Sequence, residues 1–162
     1  MEPRSPFEHL QFSGELACEF FGVFSRFEFA LKENGYWRSG RSAAAEPNWD
    51  KFAGEIANSF QQGQSAEVAA ALTYLVNEPP MRQIIENNSV SWRPTIFPNA
   101  SQAHKAFLAI RTVRNNLFHG GKHTPHSPPG RDEELVKASL VVLKHCLSLH
   151  KGLRSDYETS AF

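Results

Sequence analysis

The chain has 162 residues, 41% of them hydrophobic and thirteen of them phenylalanine, which supplies enough apolar bulk for one domain with a substantial core and argues against wholesale disorder. Its 17 basic and 17 acidic side chains cancel, so net charge alone points to no polyanionic partner. Two cysteines, Cys18 and Cys146, stand far apart without ligand spacing, which argues for free thiols in a reducing compartment rather than a disulfide framework.

At the N-terminus, Glu8, Glu15 and Glu19 interrupt the apolar run that a secretory leader needs. No segment reaches the roughly 20 apolar residues of a membrane span. The expectation is a soluble, cytoplasmic protein with no membrane partner. Leu16, Phe20, Phe24, Phe27 and Leu31 recur at helical spacing across residues 7–33, and Asn34-Gly35 supplies a stop. Residues 38–48, "RSGRSAAAEPN", read as a small, polar loop. Asn48 or Asp50 caps a second helix, in which Phe52, Ile56 and Phe60 repeat every four residues. Ser65 opens a third, "AEVAAALTYLVN", which Pro79-Pro80 ends. "MRQIIEN" reads as a short turn of helix and "SVSWRPTIFPN" as a loop. Asn99 or Ser101 caps a helix over about residues 100–119. A Gly- and Pro-rich loop, "GGKHTPHSPPG", precedes a last helix that begins near Asp132, Glu133 and Glu134 and runs to about Lys151. No run of alternating strand residues and no internal repeat stand out. The pattern predicts an all-α fold, an antiparallel bundle of four to five helices in a single domain over residues 1–155, with residues 156–162 a frayed tail.

Charge is unevenly distributed. From Asn87 to Arg131 there is no Asp or Glu, while Arg93, Lys105, Arg111, Arg114, Lys122 and Arg131 all fall there, so this window carries +6 and the remainder −6. Such a segment is a candidate landing site for a polyanion. Inside it lies "RTVRNNLFHGGKH", residues 111–123. On a helical wheel with Arg111 at zero, Ala106, Ala109, Ile110, Val113 and Leu117 occupy an apolar arc from about 160° to about 260°. Arg111, Arg114, Asn115 and His119 share the opposite, polar arc. Gly120-Gly121 then ends the helix and leaves the histidine at a terminus. Imidazole exchanges protons near neutral pH, and guanidinium forks onto phosphate oxygens. Together they can cleave RNA without a metal or cofactor: a base helps the ribose 2′-OH attack the adjacent phosphorus, and cationic donors stabilise the developing charge.

"VRNNLFHGG" at the end of an amphipathic helix resembles the R-x(4–6)-H motif of the HEPN superfamily, and Asn115 matches its usual polar residue after the arginine. "FSRFEFALKENG", residues 24–35, looks like the first helix of some HEPN branches. The resemblance implies a four-helix bundle that dimerises and brings two such motifs together in one cleft. Many members are metal-independent endoribonucleases of toxin–antitoxin, phage-defence or RNA-processing systems. Carried onto this chain, it makes Arg114 and His119 the catalytic pair and gives Asn115 the task of orienting the histidine or the phosphate. Arg26 and Glu28 on the first helix become supporting residues. Arg111, Lys122 and His123 complete the expected RNA-binding face, and an antitoxin or regulatory protein becomes an expected partner. One toxin branch extends the motif to H-x-Y; Gly121 stands in place of that tyrosine.

Other chemistries find less in the sequence. His119, His123 and His126 have tolerable metal spacing, but the loop is irregular and no neighbouring acid or cysteine completes a shell, so no metal site is assigned. Neither a G-x-S-x-G nucleophile nor a P-loop is present. Phe21 and Phe29 sit off the main stripe of the first helix, as either a dimer seam or a second buried side. The alternative to a nuclease is a non-catalytic HEPN module that binds nucleotide, RNA or a partner protein on the same basic face.

Overall fold

The computed structural model of the chain describes residues 3, 5–119 and 127–159. Among these, six α-helices and two short antiparallel hairpins follow a 3-10 turn at Pro6–His9. Helix α1 (Gly14–Glu33) leads to strands β1 (Trp37–Ser39) and β2 (Ala45–Pro47). Helices α2 (Trp49–Phe60) and α3 (Ala66–Asn77) come next, then strands β3 (Met81–Glu86) and β4 (Ser89–Pro94). Helices α4 (Gln102–Phe118), α5 (Arg131–Leu149) and α6 (Lys151–Glu158) complete the order. No helix among the described residues is long and apolar enough to cross a membrane.

Side-chain caps set where most helices begin. The hydroxyls of Ser13, Ser65 and Ser101 accept from the backbone N–H of Leu16, Val68 and His104, and Asn48 accepts from Lys51. Between the sequence alternatives, then, Asn48 and Ser101 are the caps. Asn34 closes α1, and Gly35 takes the left-handed φ of 77° that a chain leaving a helix commonly needs.

The core is aromatic. The Phe27 ring stacks on Trp49 at 5.3 Å and 6°, and Phe52 on Phe107 at 5.7 Å and 22°. Trp49 also meets Phe24 and Phe107, which bridges the two stacks and locks α1, α2 and α4 together. Phe20, Phe27, Phe52, Phe60 and Phe107 are all buried. Helix α5 lies against α1, α3 and α4, and fills the remaining side with Leu135, Val136, Val142 and Leu143. Cys18 is exposed and Cys146 buried, both free, and burial pushes the Cys146 thiol's pKa up.

The fold is dominated by helices but is not all-α. Residues 81–94, expected as a helical turn and a loop, pair as β3 and β4 from Met81↔Pro94 to Glu86↔Ser89. Their turn places Asn87 and Asn88 at φ of 51° and 59°, the left-handed pair that a tight hairpin needs and that asparagine tolerates. The alternation was masked because Ile84 and Ile85 are adjacent, and Ile85 and Val90, directly opposite one another, are both exposed. Residues 37–47 likewise form the β1–β2 hairpin instead of a loop. A sixth helix, α6, extends to Glu158 where a tail was expected from residue 156. It packs on α1, and the Arg26 guanidinium fastens its end by donating to the carbonyls of Asp156, Tyr157 and Thr159 at 2.7–3.3 Å. Residues 160–162 lie outside the described residues.

Candidate functional site

Helix α4 separates its two arcs. Ala106, Ala109, Ile110 and Val113 are buried, Arg111 and Arg114 are half-buried, and Asn115 and His119 are exposed. One flank of the polar arc is covered: Thr112 and Asn116 are buried, and Asn116 Nδ2 donates to the Met81 carbonyl at 2.6 Å. Asn116 is therefore the tie that holds the β3–β4 hairpin to α4, a role that a wheel drawn for one helix does not reveal.

Arg114 is held from three sides. Its Nη1 donates to Asn115 Oδ1 at 2.9 Å, its Nη2 lies 3.7 Å from Glu28 Oε2, and its guanidinium carbon stands 5.1 Å from the centre of the Phe24 ring. Glu28 is itself oriented, because Trp49 Nε1 donates to its Oε1 at 3.1 Å. The chain of contacts thus runs from the core, through Trp49 and Glu28, to a guanidinium at the surface. His119 is the C-cap of α4, with its backbone N–H on the Asn115 carbonyl at 2.9 Å. Its imidazole has no hydrogen-bond partner among the described residues. The carbonyl end of the helix favours positive charge, so the Arg114 guanidinium sits where the helix dipole suits it.

Arg114 and His119 line the same open cleft of about 260 Å³, together with Phe21, Phe24, Glu28 and Phe118. Phe21 and Phe118 form its rim, 5.3 Å apart between ring centres and both exposed. His119 also faces a second cleft of about 270 Å³, with Asn115 and with Arg82 from β3. On the other side of Arg114 a third cleft, of about 330 Å³, is bordered by Arg38 of β1 and by Arg111. Arg38 and Arg82 were not singled out in the sequence. Each is brought to the site by a hairpin that was read as something else.

The remaining expected site residues divide. Glu28 joins Arg114. Arg26, on the same helix, does not: it is engaged with the end of α6, and its guanidinium lies 4.6 Å from the centre of the Phe29 ring. That contact also separates the two candidate seam residues, since Phe29 sits with Arg26 while Phe21 sits at the cleft. Lys122 and His123, like His126, lie outside the described residues. Among the described residues, the positive window does not form one continuous cationic face. Arg93 pairs with Glu86, and Arg131 pairs with Glu78 at 3.1 Å and donates to the Glu78 and Pro79 carbonyls, so both are answered by groups outside the window. No group of three or more His, Cys, Asp or Glu side chains gathers as metal ligands among the described residues. Compared with family models, with curated proteins and with solved structures, the chain matches none.

Proposed function

We propose that the protein is a metal-independent endoribonuclease of HEPN type, in which two helical-bundle protomers bring their Arg114 and His119 together across a homodimer interface. The observation that carries this reading is the shared cleft: a guanidinium oriented by Glu28, Asn115 and Phe24 opens onto the same space as an imidazole with no described partner.

In this reading the strand lies with its scissile phosphate against Arg114. His119 accepts the ribose 2′-OH proton as the 2′-oxygen forms a bond to phosphorus. The bond from phosphorus to the 5′-oxygen breaks, and that oxygen takes a proton from the second copy's imidazole. The products are a 2′,3′-cyclic phosphate and a 5′-hydroxyl. Arg114 stabilises the extra negative charge on the pentacoordinate phosphorus, and Asn115 keeps the guanidinium turned toward it. The exposed Phe21–Phe118 pair supplies apolar area at the rim, where a second copy would seat. A toxin–antitoxin or phage-defence setting follows from the same reading, with an antitoxin or regulatory protein as the restraint and the cytoplasm as the place of action.

The experiment is cleavage of a mixed RNA in EDTA, with the product ends identified. Wild type should leave 2′,3′-cyclic phosphates, and Arg114→Ala and His119→Ala should each lower the rate by about 10²- to 10⁴-fold. Both variants should remain folded. RNA left intact by the wild-type protein, or cut equally by both variants, overturns the proposal and leaves the non-catalytic binding module. A protein that is monomeric at concentrations where it cuts removes the dimeric part alone.

A further inference from the structure

The third cleft has no task in the reaction just described, and its charged walls come from three separate parts of the chain. Arg38 enters from the β1–β2 hairpin, Arg111 and Arg114 from successive turns of α4, and Glu28 from α1. Three guanidinium groups therefore face two carboxylates, Glu28 and Glu46. Both carboxylates are already engaged: Glu28 by Trp49 and Arg114, and Glu46 by Arg38 at 3.3 Å. Arg111 is half-buried, yet its side chain has no ion pair or hydrogen bond among the described residues. A half-buried guanidinium that faces two carboxylates engaged elsewhere, and pairs with neither, is poised to take a further anion. The Arg38–Glu46 pair is about half exposed on both sides, and a pair so well solvated gives way readily to a second anion. Behind these charges, half-buried Pro47 gives the cleft an apolar wall, laid over buried Phe24 and Trp49.

We infer that this cleft is a phosphate subsite, in which Arg38 and Arg111 hold the phosphodiester next to the one that is cut. The inference rests on the ribonuclease reading. Its geometric basis is that Arg114 and Glu28 line both clefts, so a strand whose scissile phosphate lies against Arg114 passes directly from one to the other. That continuity favours a nucleic-acid strand over a free nucleotide. The source of the phosphate is thereby the substrate, and the β1–β2 hairpin becomes a substrate-binding element.

The test compares a dinucleoside monophosphate with a trinucleoside diphosphate, which differ by one nucleoside and the phosphodiester that joins it. Binding is titrated with 2′-O-methyl versions, which cannot be cut, and cleavage is followed with the ribose versions. Wild type should gain affinity on adding the second phosphodiester, and Arg38→Gln and Arg111→Gln should each reduce that gain by about tenfold. Each should also lower the dependence of log affinity on log salt by about 0.7, the loss of one phosphate contact on a single strand. Arg154→Gln, on the far helix α6, should keep the full gain. The subsite is overturned if all variants show the wild-type gain, or if 5′-AMP alone binds as tightly as the trinucleotide and loses as much in both variants, which would make the cleft a free-nucleotide site. If wild type cuts with cyclic-phosphate ends and Arg38→Gln and Arg111→Gln behave as wild type, the subsite fails and the ribonuclease stands. If the methylated strands show the length- and arginine-dependent gain but nothing is cut, the ribonuclease reading fails and the subsite survives as a binding site. Absence of both binding and cleavage overturns both.

Discussion

Two clusters of aromatic rings occupy neighbouring stretches of the same helices and are treated in opposite ways. Phe27, Trp49, Phe52 and Phe107 are stacked and closed off from water, whereas Phe21 and Phe118, within a turn and a half of buried Phe20, Phe24 and Val113, meet in the open. The first cluster holds the helices in register. The second borders the cleft that contains Arg114 and His119. The difference shows how the chain separates stability from exposure: rigidity is concentrated behind the site. Trp49 and Phe24 connect the two: Trp49 packs with three core phenylalanines while its indole N–H reaches Glu28, and Phe24 packs on Phe20 and Trp49 while the Arg114 guanidinium lies over its ring.

The largest effect that would test this division is Phe52→Ala. The ring is fully buried and touches Phe27, Tyr36 and Phe107, so truncation should cost about 3–5 kcal/mol in denaturant unfolding. His119→Ala, at the exposed end of α4, should stay within about 0.5 kcal/mol of wild type in the same measurement. Comparable losses in the two variants would break the comparison, since the site would then be part of what holds the fold.

A smaller effect lies on the opposite side of the core, where Tyr36 packs on Phe52 and its hydroxyl is 3.1 Å from His150 Nε2. Burial, first, and the neighbouring Glu55 carboxylate push the Tyr36 pKa above its ordinary value of about 10. The folded state thus favours the protonated phenol. Its stabilising contribution is full below pH about 10 and is lost as pH rises from there toward the folded-state value. Tyr74 and Tyr157, also raised chiefly by burial, act in the same direction. Stability followed from pH 8 to pH 11 should therefore fall at the alkaline end, and Tyr36→Phe should shallow that fall while lowering stability at pH 8. A slope unchanged by the substitution would remove Tyr36 from the account.

The same contrast explains what the sequence allowed one to read. Helices whose apolar residues repeat against a single core were legible, α1 from Phe20–Phe24–Phe27–Leu31 and α2 from Phe52–Ile56–Phe60, because burial and periodicity there have one cause. The hairpins were not. Residues 81–95 carry exposed Ile85 and Val90 and buried Thr95, whose hydroxyl donates to the Pro80 carbonyl, so hydrophobicity does not follow burial and no period of two appears. At the site, the local spacing from Arg111 to His119 showed which side chains share a surface of α4. Glu28 was within reach as a residue of α1. Arg38, Arg82 and Trp49 were not, since what brings them to α4 is hairpin and core packing across long stretches of intervening chain, and nothing in a helical wheel encodes it.

A further small effect sharpens the comparison at the cleft wall. In the turn of the β1–β2 hairpin, Ser42 and Ala43 both have positive φ, at 56° and 61°. Alanine pays about 1–2 kcal/mol for the left-handed region, because its Cβ crowds the following carbonyl. Glycine avoids that cost, but its freer unfolded chain returns about 0.4–1 kcal/mol. Ala43→Gly should accordingly stabilise the protein by about 0.5–1 kcal/mol, a shift visible in thermal unfolding. Because Ala44 N–H and Gly40 N–H close this turn on the carbonyls of Arg41 and Ala44, the substitution leaves the turn's hydrogen bonds and the Arg38–Glu46 pair in place. A loss of stability would mean that the left-handed turn is not the one populated in solution. The hairpin would then present Arg38 to the cleft differently from its position beside Glu46.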